Sequence, residues 1–181
     1  MEQITVTSRD SAAKAKQLRR HGIIPCVIYG AALRSSISAQ LDKDNAKQLL
    51  RTKRTGSSVD LRYEGRTIHA LIKALERSCV GGEVIHVSFQ AMEADRKVTG
   101  RAQIHLLNKD TLPGVLEQSQ FEVTYTALPA DLFDTVTIDL ADLPVGTVVS
   151  VSDLPQLQNE HIELLTPADS VIFKIVDKTR G

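Results

Sequence analysis

The chain has 181 residues, with 22 Lys and Arg balanced by 22 Asp and Glu, and only two cysteines. This length buries one large core or two small ones. Two cysteines are too few for the disulfide framework of a small secreted protein, and the first residues, MEQITVTSRD, lack the apolar core of a signal peptide. The longest apolar stretch, Ile23–Leu33, is too short to span a membrane. We therefore expect a cytoplasmic protein in which Cys26 and Cys79 are small buried side chains.

Charge is divided unevenly along the chain. Residues 1–91 contain 15 Lys and Arg against 8 Asp and Glu, a net charge of +7, whereas residues 92–181 contain 7 against 14, a net charge of −7. A basic surface attracts polyanions and an acidic surface repels them. The division predicts two domains with different partners, a basic one at residues 1–92 and an acidic one at residues 93–181; chance drift of solvated charges is the alternative.

The first half alternates strands with helices. Alternating and β-branched apolar residues predict strands at Gln3–Thr7, Ile23–Tyr29, Ser36–Leu41, Val84–Phe89 and in a hairpin of Val59–Tyr63 and Thr67–Ala74 around Glu64-Gly65. The segment AAKAKQLRRH predicts a helix that Asp10 or Ser11 caps and Gly22 closes. A second helix follows with Asp42 or Asp44 as its cap. These elements make a mixed sheet with two helices.

The second half contains strands only. They are predicted at Val98–Leu107, Phe121–Leu128, Asp134–Leu140, Val148–Val151 and Val171–Val176, and clusters of turn residues separate them. The pattern predicts an all-β domain, a sandwich or a small barrel. The polar stretch of residues 90–97 lies between the two patterns and marks the domain boundary.

The sequence contains no catalytic signature, such as a nucleophile elbow or a phosphate-binding loop. Its five histidines are scattered singly, which indicates no metal site, and no cofactor is implied. The exposed side of the first helix carries Lys16, Arg19 and Arg20, which are spaced to contact successive phosphates. An ordinary solvated helix face is the alternative reading of these cations.

Three segments resemble a known family. These are LRRHGIIPCVIYG at Leu18–Gly30, ERSCVGGEVIHVSF at Glu76–Phe89, and LPADLFDTVTIDLADLPVGTVVSVSDL at Leu128–Leu154. They resemble large-subunit ribosomal protein number twenty-five, the 5S-rRNA-binding family whose two-domain members are called general stress protein CTC. The third segment is the most specific, and the matches together span both halves of the chain.

The resemblance implies a mainly β protein with an N-terminal small β-barrel, two or three helices and a C-terminal all-β domain. The barrel would bind the wide minor groove of 5S rRNA, where phosphates and 2′-hydroxyls are accessible. Residues aligned with family contacts are Lys16, Arg19, Tyr29, Arg77 and His86. The cations would hold phosphates, while Tyr29 and His86 would hydrogen-bond riboses or base edges.

The chain departs from the family pattern at three places. Ser8–Lys14 replaces a longer Gly-Lys-Gly-like loop, Ser88 stands at an aspartate position, and Glu76 stands where a neutral amide is common. A negative charge beside RNA is unfavourable. These departures leave two alternatives open, a tuned interface or a stress-related paralogue with weakened or lost rRNA binding, and Ser88 and Glu76 are the evidence for the paralogue.

The sequence thus predicts a structural protein of the large ribosomal subunit, not an enzyme, located on the cytoplasmic ribosome. Its basic domain would bind 5S rRNA through the six residues Lys16, Arg19, Arg20, Tyr29, Arg77 and His86. Its acidic domain would contact neighbouring ribosomal proteins, and no membrane is involved. A remote alternative is an enzyme with an inter-domain site formed by residues such as His105 and Asp139.

Overall fold

The first half of the chain folds around a closed barrel in a computed structural model that describes residues 3–10 and 12–177. Its strands are β1 (Gln3–Ser8), β2 (Ile23–Tyr29), β3 (Ile37–Asp42), β4 (Ser58–Tyr63), β5 (Arg66–Arg77) and β6 (Val84–Ala91). Two helices occur in the described part of this half, α1 (Ala15–Arg20) and α2 (Lys43–Thr52). The predicted small barrel with helices is confirmed.

The barrel closes through two parallel pairings in the order β1-β3-β2-β6-β5-β4. β1 runs parallel to β4, and β2 runs parallel to β6 with Cys26 beside Val87; the other neighbours are antiparallel. Alternate residues of each strand fill the interior, including Ile28, Leu61 and Phe89, which are fully buried. The residues between these interior positions on β2 and β6 point the other way and therefore form part of the outer surface of the barrel.

Helix α1 is shorter than predicted. The carboxylate of Asp10 accepts a hydrogen bond from the backbone N–H of Ala12 at 2.9 Å, so this residue stabilises a turn and does not cap the helix. The helix begins at Ala15, and Lys14 at its N-cap makes no side-chain capping bond. Ser11, the other predicted cap, lies outside the described residues.

Helix α2 begins as predicted. The carboxylate of Asp42 accepts a hydrogen bond from the backbone N–H of Asp44 at 2.8 Å, which satisfies one of the free donors of the first turn. Ala46 and Leu49 are buried against the barrel core, while Leu50 is half-buried. Of the two predicted candidates, Asp42 is thus the residue that caps α2.

The second half forms two sheets. Its strands are β7 (Val98–Leu107), β8 (Val115–Gln118), β9 (Glu122–Ala127), β10 (Thr135–Asp139), β11 (Val148–Ser150), β12 (Glu163–Leu164) and β13 (Val171–Val176). One sheet has the order β10-β7-β9-β12 and the other has the order β11-β13-β8. One hydrophobic cluster is shared by both sheets, so the all-β prediction is confirmed as a sandwich. β8 and β12 were not predicted.

Tyr125 lies at the centre of this second core. Its ring stacks on Phe133 with centroids 4.5 Å apart, and its hydroxyl donates to the carbonyl oxygen of Phe133 and accepts from the N–H of the same residue. Burial raises the pKa of the Tyr125 phenol to about 12, so the hydroxyl stays protonated and keeps both hydrogen bonds at neutral pH.

The chain divides into two units, Met1–Arg96 and Lys97–Gly181. The segment after β6 belongs with the first unit, because the backbone N–H of Met92 donates to the carbonyl oxygen of His69 on β5 at 2.9 Å. The sequence had placed the boundary after residue 92. None of the helices in the described residues is long and apolar enough to cross a membrane.

The two cysteines differ in exposure, which corrects the prediction that both are buried. Cys26 lies inside the barrel, where burial raises the pKa of its thiol to about 12, whereas Cys79 is exposed in the loop between β5 and β6. Because the thiolate is the reactive form, iodoacetamide at pH 8 should alkylate Cys79 alone in the folded protein and both cysteines in denaturant. Mass spectrometry of tryptic peptides measures this, and equal labelling of both in the folded protein would contradict the fold.

Candidate nucleic-acid interface

Helix α1 is fixed to the barrel by its own arginine. The Nε of Arg19 donates to the backbone carbonyl oxygen of Ile85 on β6 at 2.9 Å, and Leu18 beside it is buried. The exposed Lys16 and Arg20 point to solvent beside it. Because only Nε is engaged in this bond, the two terminal nitrogens of Arg19 keep their N–H groups for an anion.

The short loop before α1 is also held by side-chain contacts. A terminal nitrogen of Arg9 donates to the carbonyl oxygen of Ala13 at 3.2 Å. The backbone N–H of Arg9 donates to the backbone carbonyl oxygen of Ser38 on β3, also at 3.2 Å. Arg9 therefore braces the loop from within. The sequence patterns gave no indication of this role.

Tyr29 lies at the end of β2 on the outer surface of the barrel. Its side chain is 37% exposed, and the parallel register places it beside Gln90 of β6. Two residues earlier, Val27 of β2 pairs with Ser88 of β6, and these side chains also point outward. The outer face of β2 and β6 thus presents a phenol, an amide and a hydroxyl in neighbouring positions, all of which can hydrogen-bond to a sugar or a base edge.

His86 lies on β6 close to the attachment point of α1. In the antiparallel register of β5 and β6 it stands opposite Glu76, and its Nδ1 is 3.6 Å from a carboxylate oxygen of Glu76. This separation is too long for a hydrogen bond, and Nδ1 is buried with no hydrogen-bond partner among the described residues. The carboxylate of Glu76 is exposed, so the acidic residue lies on the same face as the histidine.

Arg77 is the last residue of β5, and it pairs with Val84 of β6, two residues before His86. One of its terminal nitrogens donates to the carbonyl oxygen of Gly82 at 3.1 Å, which holds the loop that joins β5 to β6. Arg77 lines a surface pocket together with Lys43 and Lys47 of α2, and Lys43 forms an ion pair with Glu83 at 2.8 Å. That pair lowers the pKa of the Glu83 carboxyl, so the carboxylate remains charged and partly neutralises the cations.

The structure therefore places Arg19 of the cationic helix α1 against β6 at Ile85, the residue before His86. Tyr29 lies further along the same face: it is level with Gln90, four residues after His86, or about 13 Å at the usual rise of a strand. We call α1 and the outer surface of β2 and β6 the α1–β6 face. Arg77 is at its end, and Gln90 is a candidate that the sequence patterns missed.

The second unit shows why His105 and Asp139 do not form a catalytic pair. His105 is exposed on β7, and the strand register places it beside Thr137, not beside Asp139. Hydrogen bonds from the N–H of Ala141 and from the Asn108 amide lower the pKa of the Asp139 carboxyl and hold it in a turn. Across residues 3–10 and 12–177, no His, Cys, Asp or Glu cluster is arranged to hold a metal.

Comparisons with known proteins give the class of the chain. Residues 4–89 match the model of the Ribosomal L25p family, and residues 97–179 match the model described as ribosomal protein TL5, C-terminal domain. Both descriptions denote ribosomal proteins, and the two matched segments correspond to the barrel and to the sandwich.

Curated relatives give the particular family. The chain is similar to large ribosomal subunit protein bL25 of Halothermothrix orenii, with 32% identity over 90% of this chain and 75% of the relative. It is also similar to the bL25 proteins of Dictyoglomus thermophilum (29%, over 96% and 88%) and Ectopseudomonas mendocina (33%, over 77% and 73%). The chain therefore belongs to the bL25 family of ribosomal proteins. Because this family is structural, the expectation that the chain is not an enzyme is confirmed.

Proposed function

We propose that the protein is a structural component of the large ribosomal subunit and binds 5S rRNA through the α1–β6 face. The observation that carries the proposal is the bond from Arg19 to Ile85, which joins a cationic helix to a strand face of hydrogen-bonding side chains. Relatives named large ribosomal subunit protein bL25 support the assembly, and the net charge of +7 over residues 1–91 supports a polyanionic partner.

The arrangement suits the minor groove of an RNA helix. Lys16, Arg19 and Arg20 are placed to bind phosphates along one strand, because they project from a rigid helix that spans only six residues. Tyr29 and His86 lie on the adjoining strands, where a wide A-form minor groove exposes 2′-hydroxyls and base edges. Arg77 would bind a phosphate at the end of the face, since one of its terminal nitrogens is free of the bond to Gly82.

The acidic half has a separate role in this proposal. Its net charge of −7 over residues 92–181 keeps it away from the phosphate backbone and favours contact with basic ribosomal proteins. The domains at residues 1–92 and 93–181 would then divide the work, one on rRNA and one on protein, with the whole chain on the cytoplasmic ribosome.

Titration of 5S rRNA with the full chain at several salt concentrations tests the proposal. If about four phosphates are neutralised, log affinity should fall with log salt at a slope of about −3 to −4. A regularly paired hairpin RNA of equal length and unrelated sequence serves as the matched control and should bind at least tenfold more weakly. Absence of saturable binding, or equal affinity for both RNAs, would contradict the proposal and favour the stress-related paralogue.

Glu76 provides a second test, because its exposed carboxylate lies opposite His86 on the proposed face. Replacing Glu76 with Gln removes a negative charge near the phosphates and should strengthen binding to 5S rRNA roughly three- to fivefold at low salt. The control is Glu64→Gln in the turn between β4 and β5, which should leave affinity unchanged. Equal effects of the two substitutions would indicate that the RNA does not contact the α1–β6 face.

A further inference from the structure

A groove runs along β10 in the second unit, between the edge strands of the two sheets. It has a volume of about 430 Å³, and its lining includes Ile138 of β10, Val149 of β11 and Leu154. β10 is at one edge of the four-stranded sheet and β11 is at one edge of the three-stranded sheet. The groove is therefore an apolar channel beside a strand that has a neighbour on one side only.

The backbone of β10 is open towards this edge. In the parallel pairing of β10 with β7, Gln103 donates to Asp134 and Leu140 donates to Leu107, so residues of even number make the ladder bonds. The N–H and C=O groups of Thr135 and Thr137 must then point away from β7. Within the described part of the chain, no hydrogen bond reaches these outward groups.

The charge around the groove selects the kind of partner. The carboxylates of Asp139 and Asp153 line it, and none of the described residues that line it is Lys or Arg. Residues 97–181 contain 12 Asp and Glu against 6 Lys and Arg. Three of these cations already pair with carboxylates, in Lys97–Glu163, Arg101–Glu122 and Lys174–Glu117. The groove therefore has an uncompensated negative rim.

We propose that this groove binds an extended cationic segment of a basic protein, which adds to β10 as a further strand. The outward N–H and C=O groups of Thr135 and Thr137 would supply main-chain hydrogen bonds. Apolar side chains of the segment would enter the channel, and its Lys or Arg side chains would meet Asp139 and Asp153. An alternating cationic and apolar sequence satisfies both requirements, because successive side chains of a strand point to opposite faces. This binding does not depend on the α1–β6 face.

The full-length protein can be titrated with the peptide acetyl-KVKVKVK-amide as the probe, with acetyl-KVKPKVK-amide as a control of equal charge. Proline removes a backbone donor and disrupts strand pairing, so the control should bind at least fivefold more weakly. Amide hydrogen exchange followed by NMR gives the site directly. The amides of Thr135 and Thr137 should exchange rapidly in the free protein and at least tenfold more slowly in the complex, whereas those of Val136 and Ile138 should be slow in both.

Paired substitutions separate the groove from general acidity. Asp139→Asn with Asp153→Asn removes two charges but keeps the oxygens that accept from Ala141 and Ser150, and should weaken the probe about fivefold. Asp169→Asn with Glu160→Gln removes two exposed charges that do not line the groove and should change affinity less than twofold. Equal losses, or binding without slower exchange at Thr135 and Thr137, would overturn the proposal. So would slow exchange at both amides without peptide in a protein that sediments as a dimer, which would make a second copy the occupant.

Discussion

Replacing Lys16 and Arg19 together with alanine is expected to weaken binding to 5S rRNA about 100-fold, or about 2.7 kcal/mol. Each side chain would lose a charge-assisted hydrogen bond to a phosphate. Arg19 would also lose its bond to Ile85, which holds α1 on β6. The salt dependence should become shallower by about 2 in slope, because two fewer counterions are released.

The matched control replaces Arg62 and Arg66 with alanine. Both residues lie at the turn end of the hairpin of β4 and β5, where β4 pairs with neither β2 nor β6 and β5 pairs with β6 only from Ala70 onward. This variant loses the same charge, so general electrostatic attraction predicts equal effects for the two pairs. A specific interface predicts less than a fivefold loss for the control. Thermal unfolding of both variants shows whether the barrel remains folded, and equal losses of affinity would contradict the α1–β6 face.

Replacing Gly30 with alanine is expected to lower the free energy of unfolding of the barrel by about 3 kcal/mol or more. Gly30 follows Tyr29 and has a φ of +137°, a conformation that L-residues rarely adopt. A Cβ at this position would lie 2.5 Å from the backbone carbonyl oxygen of Ala91. The end of β2 would then have to move away from β6, and Tyr29 would move with it.

Gly65→Ala is the matched control for this prediction. Gly65 also has a positive φ, +78°, but a Cβ there meets no atom within 4 Å. Its cost should be limited to the strain of the left-handed conformation, about 1 kcal/mol. Urea unfolding monitored by circular dichroism measures both. If the two substitutions cost the same, the close approach of β2 and β6 at Gly30 would be wrong.

Local elements followed from local sequence signals. The β-branched run of Ile23–Tyr29 predicted β2 at its observed bounds, and Glu64-Gly65 predicted a tight turn that the structure forms with both residues at positive φ. Asp42 was one of two predicted caps of α2. In each case the physical cause lies within a few residues of the element it determines.

Long-range features could not be read from the same signals. The parallel pairing of β1 with β4 joins residues more than 50 positions apart, and nothing in the sequence of either strand indicates which strand it pairs with. The bond from Arg19 to Ile85 likewise spans 66 positions. The charges of α1 alone therefore indicated a polyanionic partner, whereas the α1–β6 face could be recognised only from the folded structure. Cys79 was misjudged because an isolated cysteine gives no indication in the sequence of whether it is buried or exposed.

The candidate site was predicted as a set of residues, and the structure shows how that set is arranged. Arg19 is bonded to Ile85, the residue before His86, while Tyr29 lies at the end of β2 beside Gln90. Arg77 donates to the carbonyl oxygen of Gly82 in the loop between β5 and β6. Gln90 was missed because its position beside Tyr29 depends on strand register. Glu76 was noted as a departure from the family pattern, and its place opposite His86 gives that departure a physical consequence.

Hydrogen–deuterium exchange of the full chain, with and without 5S rRNA, shows which segments of the protein the RNA covers. Slower exchange on RNA binding is expected in peptides that cover α1 and β2 with Tyr29 at its end, and in those that cover β6. The hairpin of β4 and β5 around Glu64 and Gly65, and the strands of the second unit, should be unchanged. Protection confined to that hairpin or to the second unit, or no protection at saturating RNA, would contradict binding of the RNA to the α1–β6 face.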